Sequence, residues 1–282
     1  MPLRSGGAGR PVFVVHSIIG IAEELKPLAG ALPAGRPVYG LRSPGLEPSE
    51  TPFRRVEDLA AAYLRRICAV QPRGPYVLAG FSFGGQIAFE MARRLREEGE
   101  DIELLALIDT GFRRRDLPLS ARLRAKFSWA CQAVRRLTAR RPHEWLPHPR
   151  RALRTWRAQR DENWQVQIAM ADALPPLPPR RRAVLEGNVA AARAYAPRPY
   201  PGVIHYFQAA DRRGRHDDPV PGWQKLSRGV RLFRIPGEHA SMIQEPHVRV
   251  LAREIAACLV QRPSRAPDGA PVREIEPHFA RS

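Results

Sequence analysis

The chain has 282 residues, 44% of them hydrophobic, with 46 Lys and Arg against 28 Asp and Glu and a formal net charge of +18. This length fits one large domain, or a core with a sizeable insertion, better than two independent domains. No stretch approaches the roughly 20 uninterrupted apolar residues that a membrane-spanning helix needs, and no membrane role is expected. Lys26, Lys126 and Lys225 are the lysines, so the positive charge is almost entirely arginine. Two explanations fit that skew: a surface for an anionic partner, or a coding bias toward Arg, Ala, Pro and Gly, with which the 29 prolines agree. Composition by itself favours the bias. Cys68, Cys131 and Cys258 lie far apart and show no metal-ligand spacing, which suggests reduced thiols. The start, Met1 to Arg10, lacks the apolar core of a secretion signal, so the expected setting is the cytoplasm.

Short apolar runs alternate with helical patterns, the signature of a mostly parallel sheet covered by helices. Val12 to Val15 reads as a buried strand that ends in the loop His16-Ser17-Ile18-Ile19-Gly20. Val38 to Leu41 is a second short strand. From Val56 the apolar positions Leu59, Ala60, Tyr63, Leu64 and Ile67 recur at helical spacing until Pro72 and Gly74 stop the pattern. Tyr76 to Ala79 predicts the next strand, followed at once by Gly80-Phe81-Ser82-Phe83-Gly84-Gly85 and a helix through about Glu98. Leu104 to Ile108 is a continuous apolar run of the kind buried on both faces, and Asp109 ends it.

From Phe112 to Tyr195 the pattern changes to arginine clusters, helical stretches and the breaker-rich Leu174 to Pro179, which reads as an inserted helical subdomain. Regular alternation returns with strands at Val203 to Phe207 and Val230 to Ile235 and a last helix from about Pro246 to Val260. The expected division is therefore an extension at 1–10, a domain at 11–261 with an insert at about 112–195, and a disordered tail at 262–282.

Gly80-Phe81-Ser82-Phe83-Gly84 is a G-x-S-x-G between a strand and a helix. A serine there sits on a sharp turn that larger neighbours would obstruct, and the helix N-terminus behind it favours developing negative charge. With 11 serines and 21 glycines in the chain, roughly 0.06 such motifs arise by chance. Ser82 is the candidate nucleophile. A serine hydroxyl needs an imidazole to take its proton and a carboxylate to orient that imidazole. His239, in the loop after the last predicted strand, is the candidate base. His247 lies inside the following helix, His278 in the tail and His205 mid-strand, where packing is the plainer role. For the acid, strand ends offer Asp109, 27 residues beyond Ser82, or Asp211 and Asp217 in the loop after Phe207, and spacing leaves these open. The residue after the nucleophile, Phe83, is expected to give one oxyanion-hole N–H.

Several segments together resemble the thioesterase domains that end nonribosomal peptide, polyketide and fatty acid synthases. They are Val38 to Leu41 with Pro44-Gly45, Gln71 to Tyr76, Gly80 to Gly85 with Ala88 to Ala92, Leu107 to Thr110, and Pro236 to Met242. The similarity runs from about Pro11 to Val260. The resemblance implies an α/β-hydrolase fold with a helical lid, and it selects Asp109 as the acid and Ile18 as the second oxyanion donor. It also implies release of an acyl, peptidyl or polyketide chain from a phosphopantetheine thioester, on a carrier protein or CoA, by hydrolysis or macrocyclisation. No metal or cofactor is expected, since the pantetheine arm arrives with the substrate. The family often has proline where this chain has Ser17, and His16 reads as a histidine that holds the loop. A carboxylesterase or lipase would share the triad, and a catalytically idle docking domain would share the fold. The chain's own Met1 favours a free-standing protein.

Residues 112–195 hold 18 arginines and one lysine against six acids, a net of +13, together with four of the five tryptophans. Interleaved Arg and Trp can serve nucleic acid, but there is no recognised reader fold and the segment interrupts an enzyme core, so no nucleic acid is expected. A basic lid fits an acidic carrier protein and its phosphate instead. Replacing Arg135, Arg136, Arg140 and Arg141 by Glu is therefore expected to raise KM for a carrier-bound substrate while sparing a small soluble thioester. Equal effects on both substrates, measured by steady-state kinetics, would contradict that assignment.

Overall fold

The computed structural model describes residues 1–112, 177–212, 218–260 and, for the backbone, 273–275. Two compact units divide the chain: Met1–Thr110 with Leu177–Arg212 and Trp223–Ser282, and Gly111–Pro176 with Arg213–Gly222. In the second unit the described residues include a turn, in which the Val220 N–H donates to the Asp218 carboxylate at 3.1 Å. Everything that follows concerns the first.

Its described elements are β1 (Pro2–Arg4), β2 (Val12–Val15), α1 (Lys26–Ala31), β3 (Val38–Leu41), α2 (Val56–Val70), β4 (Tyr76–Phe81), α3 (Phe83–Glu97), β5 (Ile102–Ile108), α4 (Pro179–Ala194), β6 (Tyr200–Ala209), α5 (Val220–Lys225, which straddles the boundary between the units), β7 (Ser227–Ile235), α6 (His247–Val260) and β8 (Arg273–Ile275). The eight strands form one sheet in the order β1-β3-β2-β4-β5-β6-β7-β8. β1 is antiparallel to β3 and the other pairings are parallel. This is the expected mostly parallel α/β sheet.

Alternation of side chains explains why its strands read as unbroken apolar runs. Val12 and Val14 on β2, with Val77, Ala79 and Phe81 on β4, join one core face under α1 and α6, where Leu28, Leu251 and Ile255 complete the packing. Phe13 and Leu78 are buried as well, on the opposite face, the side of α2 and α3. Both faces are covered, so both residue parities must be apolar.

The chain runs from β2 outward to β3 and returns to β4 on the other side of β2. In parallel α/β sheets a crevice opens at such a reversal, outside the carboxyl ends of the strands. The loop after β2 and the turn after β4 meet there.

Three elements depart from the sequence reading. Pro2–Arg4, expected to be an extension, pairs with β3, and Arg4 donates to the carbonyls of Pro33 and Arg36 at 2.8 and 2.9 Å. Helix α4, expected within the insert, groups with the core because Val184, Gly187, Asn188 and Ala191 form a buried face along it. A Cβ on Gly187 would lie 2.7 Å from the Phe53 carbonyl oxygen, so the helix approaches that loop at its backbone. Residues 273–275 of the expected tail pair with β7, while the rest of the tail and most of the basic insert lie outside the described residues. Cys68 and Cys258 are free thiols, and burial pushes the second up to about 12; Cys131 lies outside the described residues.

One buried ion pair anchors α3. Arg93 donates to both Glu90 carboxylate oxygens, at 3.0 and 2.7 Å, with the side chains 1% and 3% exposed. Burial pushes the Glu90 pKa up, but the hydrogen bonds and charges of Arg93 and Arg94 outweigh this and hold it low. Tyr195, just beyond α4, donates to the same carboxylate at 3.2 Å. Truncating one partner leaves an uncompensated buried charge, so Glu90→Ala is expected to lower the unfolding free energy by about 3–5 kcal/mol. Denaturant titration checks this, with a loss near zero as the contrary result.

Candidate active site

The sharp turn after β4 fixes the position of Ser82. Its backbone sits at φ 55°, ψ −119°, a left-handed conformation that is costly for a residue with a side chain. The surrounding glycines make the turn sterically possible. A Cβ on Gly80 would overlap the Gly84 carbonyl, one on Gly84 would overlap the His16 carbonyl, and one on Gly85 would overlap the Thr110 hydroxyl. The G-x-S-x-G-G spacing is thus a record of three close approaches of backbone and side chain. Phe83 then opens α3 and aims its N-terminus at the serine.

Ser82 Oγ lies 3.1 Å from His239 Nε2, and His239 Nδ1 lies 2.7 Å from Asp109 Oδ2. A carboxylate oxygen only accepts, so Nδ1 carries the proton and Nε2 turns its lone pair to the serine hydroxyl. The three residues come from three separate strand ends: β4, β5 and the loop after β7.

Asp109 also has a positive φ, 44°, and is fully enclosed. Its N–H donates to the Phe207 carbonyl at 2.7 Å, and its Oδ1 accepts from the Ala209 N–H at 3.4 Å. Arg212 places Nη1 3.8 Å from Oδ1. Of the alternatives, Asp211 uses its backbone N–H on the Gly237 carbonyl, at 3.0 Å, and Asp217 lies outside the described residues. His247 begins α6 with its ring beside Gly237, and His278 is outside the described residues. His205 is buried on β6, where burial drives its pKa down to about 3 and keeps the ring neutral.

His16 holds the loop after β2, as its position suggested, and Phe81, Tyr63, Glu24 and Asn188, which the sequence reading did not single out, complete the support of the site. Phe81 stacks on the His239 ring, with centroids 4.9 Å apart and planes at 25°. In the loop after β2, His16 Nδ1 donates to the Ser17 carbonyl and Nε2 accepts from Tyr63 Oη at 2.6 Å. That tautomer is fixed because a carbonyl cannot donate. Burial lowers the His16 pKa to about 4, so the ring stays neutral. Glu24 accepts from the Ser17 N–H at 2.6 Å and from its hydroxyl at 2.8 Å. Burial pushes the Glu24 pKa up to about 7 in spite of those bonds, with the like charge of Glu23 adding slightly. Asn188 on α4 donates to the Ile18 carbonyl at 3.0 Å. Among the described residues no group of three or more His, Cys, Asp and Glu side chains is arranged to hold a metal, and no helix is long and apolar enough to cross a membrane.

This arrangement, a serine raised on a strained turn beneath an imidazole at the carboxyl edge of a parallel sheet, is that of an α/β-hydrolase. The thioesterase domain family matches residues 10–259, and the chain belongs to that family, a hydrolase acting on thioesters. The atromentin synthetase of Tapinella panuoides is 25% identical over 262 residues, 88% of this chain and 27% of that protein. A nonribosomal peptide synthetase of Aspergillus terreus, btyA, is 41% identical over 99 residues, 35% of this chain and 11% of the synthetase. The chain thus spans about a quarter or less of these relatives. Among solved structures, the NocB thioesterase domain in covalent complex with a fluorophosphonate nocardicin G analog superposes with a TM-score of 0.61 at 25% identity, covering 90% of this chain and 95% of that one. The four-domain nonribosomal peptide synthetase AB3403, bound to AMP and glycine, gives 0.64 at 25% identity over 91% of this chain and 20% of its own.

Glu24 supplies a pH test of this environment. Its folded pKa, about 7, lies above the ordinary 4.5, so between these values the folded protein holds the extra proton and stability falls as pH rises. Glu24→Gln, which cannot ionise, is expected to gain stability relative to wild type from pH 4.5 to 7, as read by thermal unfolding across that range. A difference independent of pH would contradict it.

Proposed function

We propose that the chain releases an acyl, peptidyl or polyketide chain from a phosphopantetheine thioester through an acyl-enzyme on Ser82. The observation that carries this reading is the continuous line from Ser82 Oγ through the His239 ring to Asp109, at 3.1 and 2.7 Å. Ser82 attacks the thioester carbonyl as His239 Nε2 takes its proton. Asp109 keeps the imidazole in the required tautomer and stabilises the imidazolium that forms. The tetrahedral oxyanion accepts from the N–H groups of Phe83 and Ile18, and His239 then returns the proton to the departing thiol. Water, activated by the same imidazole, releases a free acid; an amine or hydroxyl of the bound chain would release a macrocycle.

The substrate is delivered by a carrier protein or by CoA, and the basic 112–195 segment suits the acidic surface and phosphate of such a partner. A thiol is a better leaving group than an alcohol, so expulsion from the tetrahedral intermediate demands less protonation from His239 for a thioester than for an oxygen ester. No cofactor is required by this chemistry, since the pantetheine belongs to the substrate. The setting we infer is the cytoplasm, where carrier-bound thioesters are made.

Ser82→Ala is expected to abolish thioester turnover and labelling by a fluorophosphonate. Asp109→Asn is expected to cut kcat by about 10⁴, the loss that follows when the imidazole adopts the wrong tautomer. Steady-state assays with acyl N-acetylcysteamine thioesters and matched oxygen esters measure both. Full activity of Asp109→Asn would move the acid to Asp211 or Asp217, and a preference for oxygen esters would make the chain a carboxylesterase.

A further inference from the structure

The loop after β2 carries more buried polar side chains than its length explains. Three successive peptide units are each held by a different side chain. The unit joining His16 and Ser17 gives its N–H to Glu24 at 2.6 Å. The unit joining Ser17 and Ile18 accepts at its carbonyl from His16 Nδ1 and from the Gly20 N–H, the latter at 3.2 Å. The unit joining Ile18 and Ile19 accepts from Asn188 Nδ2 at 3.0 Å. The central unit is the one whose N–H belongs to Ile18.

In a trans peptide the N–H and C=O point in opposite directions, so a carbonyl held inward turns the N–H outward. A loop peptide can swing about its flanking bonds at small cost, and that swing would take the Ile18 N–H off an oxyanion. Fixing the peptides on both sides removes the freedom. We propose that Glu24 and Asn188 are positioning residues that lock the Ile18 N–H toward the carbonyl oxygen of the substrate, a role that rests on the acyl-enzyme reading above.

Both residues are placed for this at some expense. Glu24 is a partly enclosed carboxylate whose desolvation raises its pKa to about 7, and the neighbouring charge acting on it, Glu23, is of like sign. An apolar side chain there would avoid this desolvation but would leave the Ser17 N–H and hydroxyl without their acceptor. Asn188 is buried on α4, accepts from the Ser43 hydroxyl at 3.2 Å and touches the loop where Gly20 turns with φ 85°. The helix that leads out of the basic insert therefore has a side chain bonded directly to the candidate oxyanion loop.

The test is kcat per titratable Ser82, counted by fluorophosphonate burst, for soluble acyl N-acetylcysteamine thioesters. Counting active serines removes any unfolded fraction from the comparison. Glu24→Ala and Asn188→Ala are each expected to lower kcat at least about 10-fold while KM moves less than about twofold, because a misaligned donor weakens the transition state more than the bound substrate. Glu24→Gln, whose amide oxygen still accepts from Ser17, is expected to recover part of the loss. If Asn188→Ala gives no titratable serine, Asn188→Asp has the same size and lacks the donor, and it must show the same fall. Unchanged kcat, or a rise in KM alone, overturns the proposal. Turnover that survives Ser82→Ala overturns the acyl-enzyme reading instead, and this assignment falls with it.

Discussion

The turn at Ser82 is the constraint on which the rest of the structure depends. A non-glycine residue at φ 55° stores strain of about 1–3 kcal/mol, and it persists only because the surroundings leave no alternative. Those surroundings are a strand buried on both faces, a helix that must begin at the next residue, and three glycines whose missing side chains let that helix settle against the loop after β2 and the end of β5. Removing the strain would mean rotating Ser82 Oγ away from His239 Nε2. Strain here serves geometry: the hydroxyl is held at the rim, and the peptide beside it opens the helix.

Asp109 repeats the device one strand away. It too has a positive φ, and its backbone N–H is tied to β6 while its carboxylate meets the histidine. Two strained residues at adjacent strand ends, with an imidazole between them, need a rigid sheet to hold the distances. The buried pair of Glu90 and Arg93 stiffens the helix that begins at the serine, and Tyr195 ties the same carboxylate to the end of α4. The helix that opens beside Ser82 is therefore also the one that carries the buried ion pair.

The fold was legible because its elements are written locally. Apolar runs buried on both faces, helical periodicity from Val56, and the glycines around Ser82 each follow from contacts within a few residues. The placement of Asp109 was not local: spacing allowed Asp211 or Asp217 equally, and only the family resemblance chose between them. His16 was readable as the histidine that holds the loop after β2, whereas Asn188, which also holds it, was hidden for the same reason. Asn188 meets Ile18 across 170 positions, and nothing in the Arg180-Arg181-Arg182 run that precedes it on α4 signals a buried face. That run also explains why α4 read as part of the insert, since its exposed face carries the charge while Val184 and Ala191 carry the packing. Pro2–Arg4 was too short for any period to show.

The central claim is that the thioester passes through a covalent ester on Ser82. Rapid mixing with an acyl N-acetylcysteamine thioester, followed by acid quench, intact-mass measurement and peptide mapping, tests it directly. The account predicts a mass gain equal to one acyl group, located on the peptide containing Ser82, formed and consumed at rates consistent with turnover. Turnover without any acylated species, with full activity retained by Ser82→Ala, would contradict it.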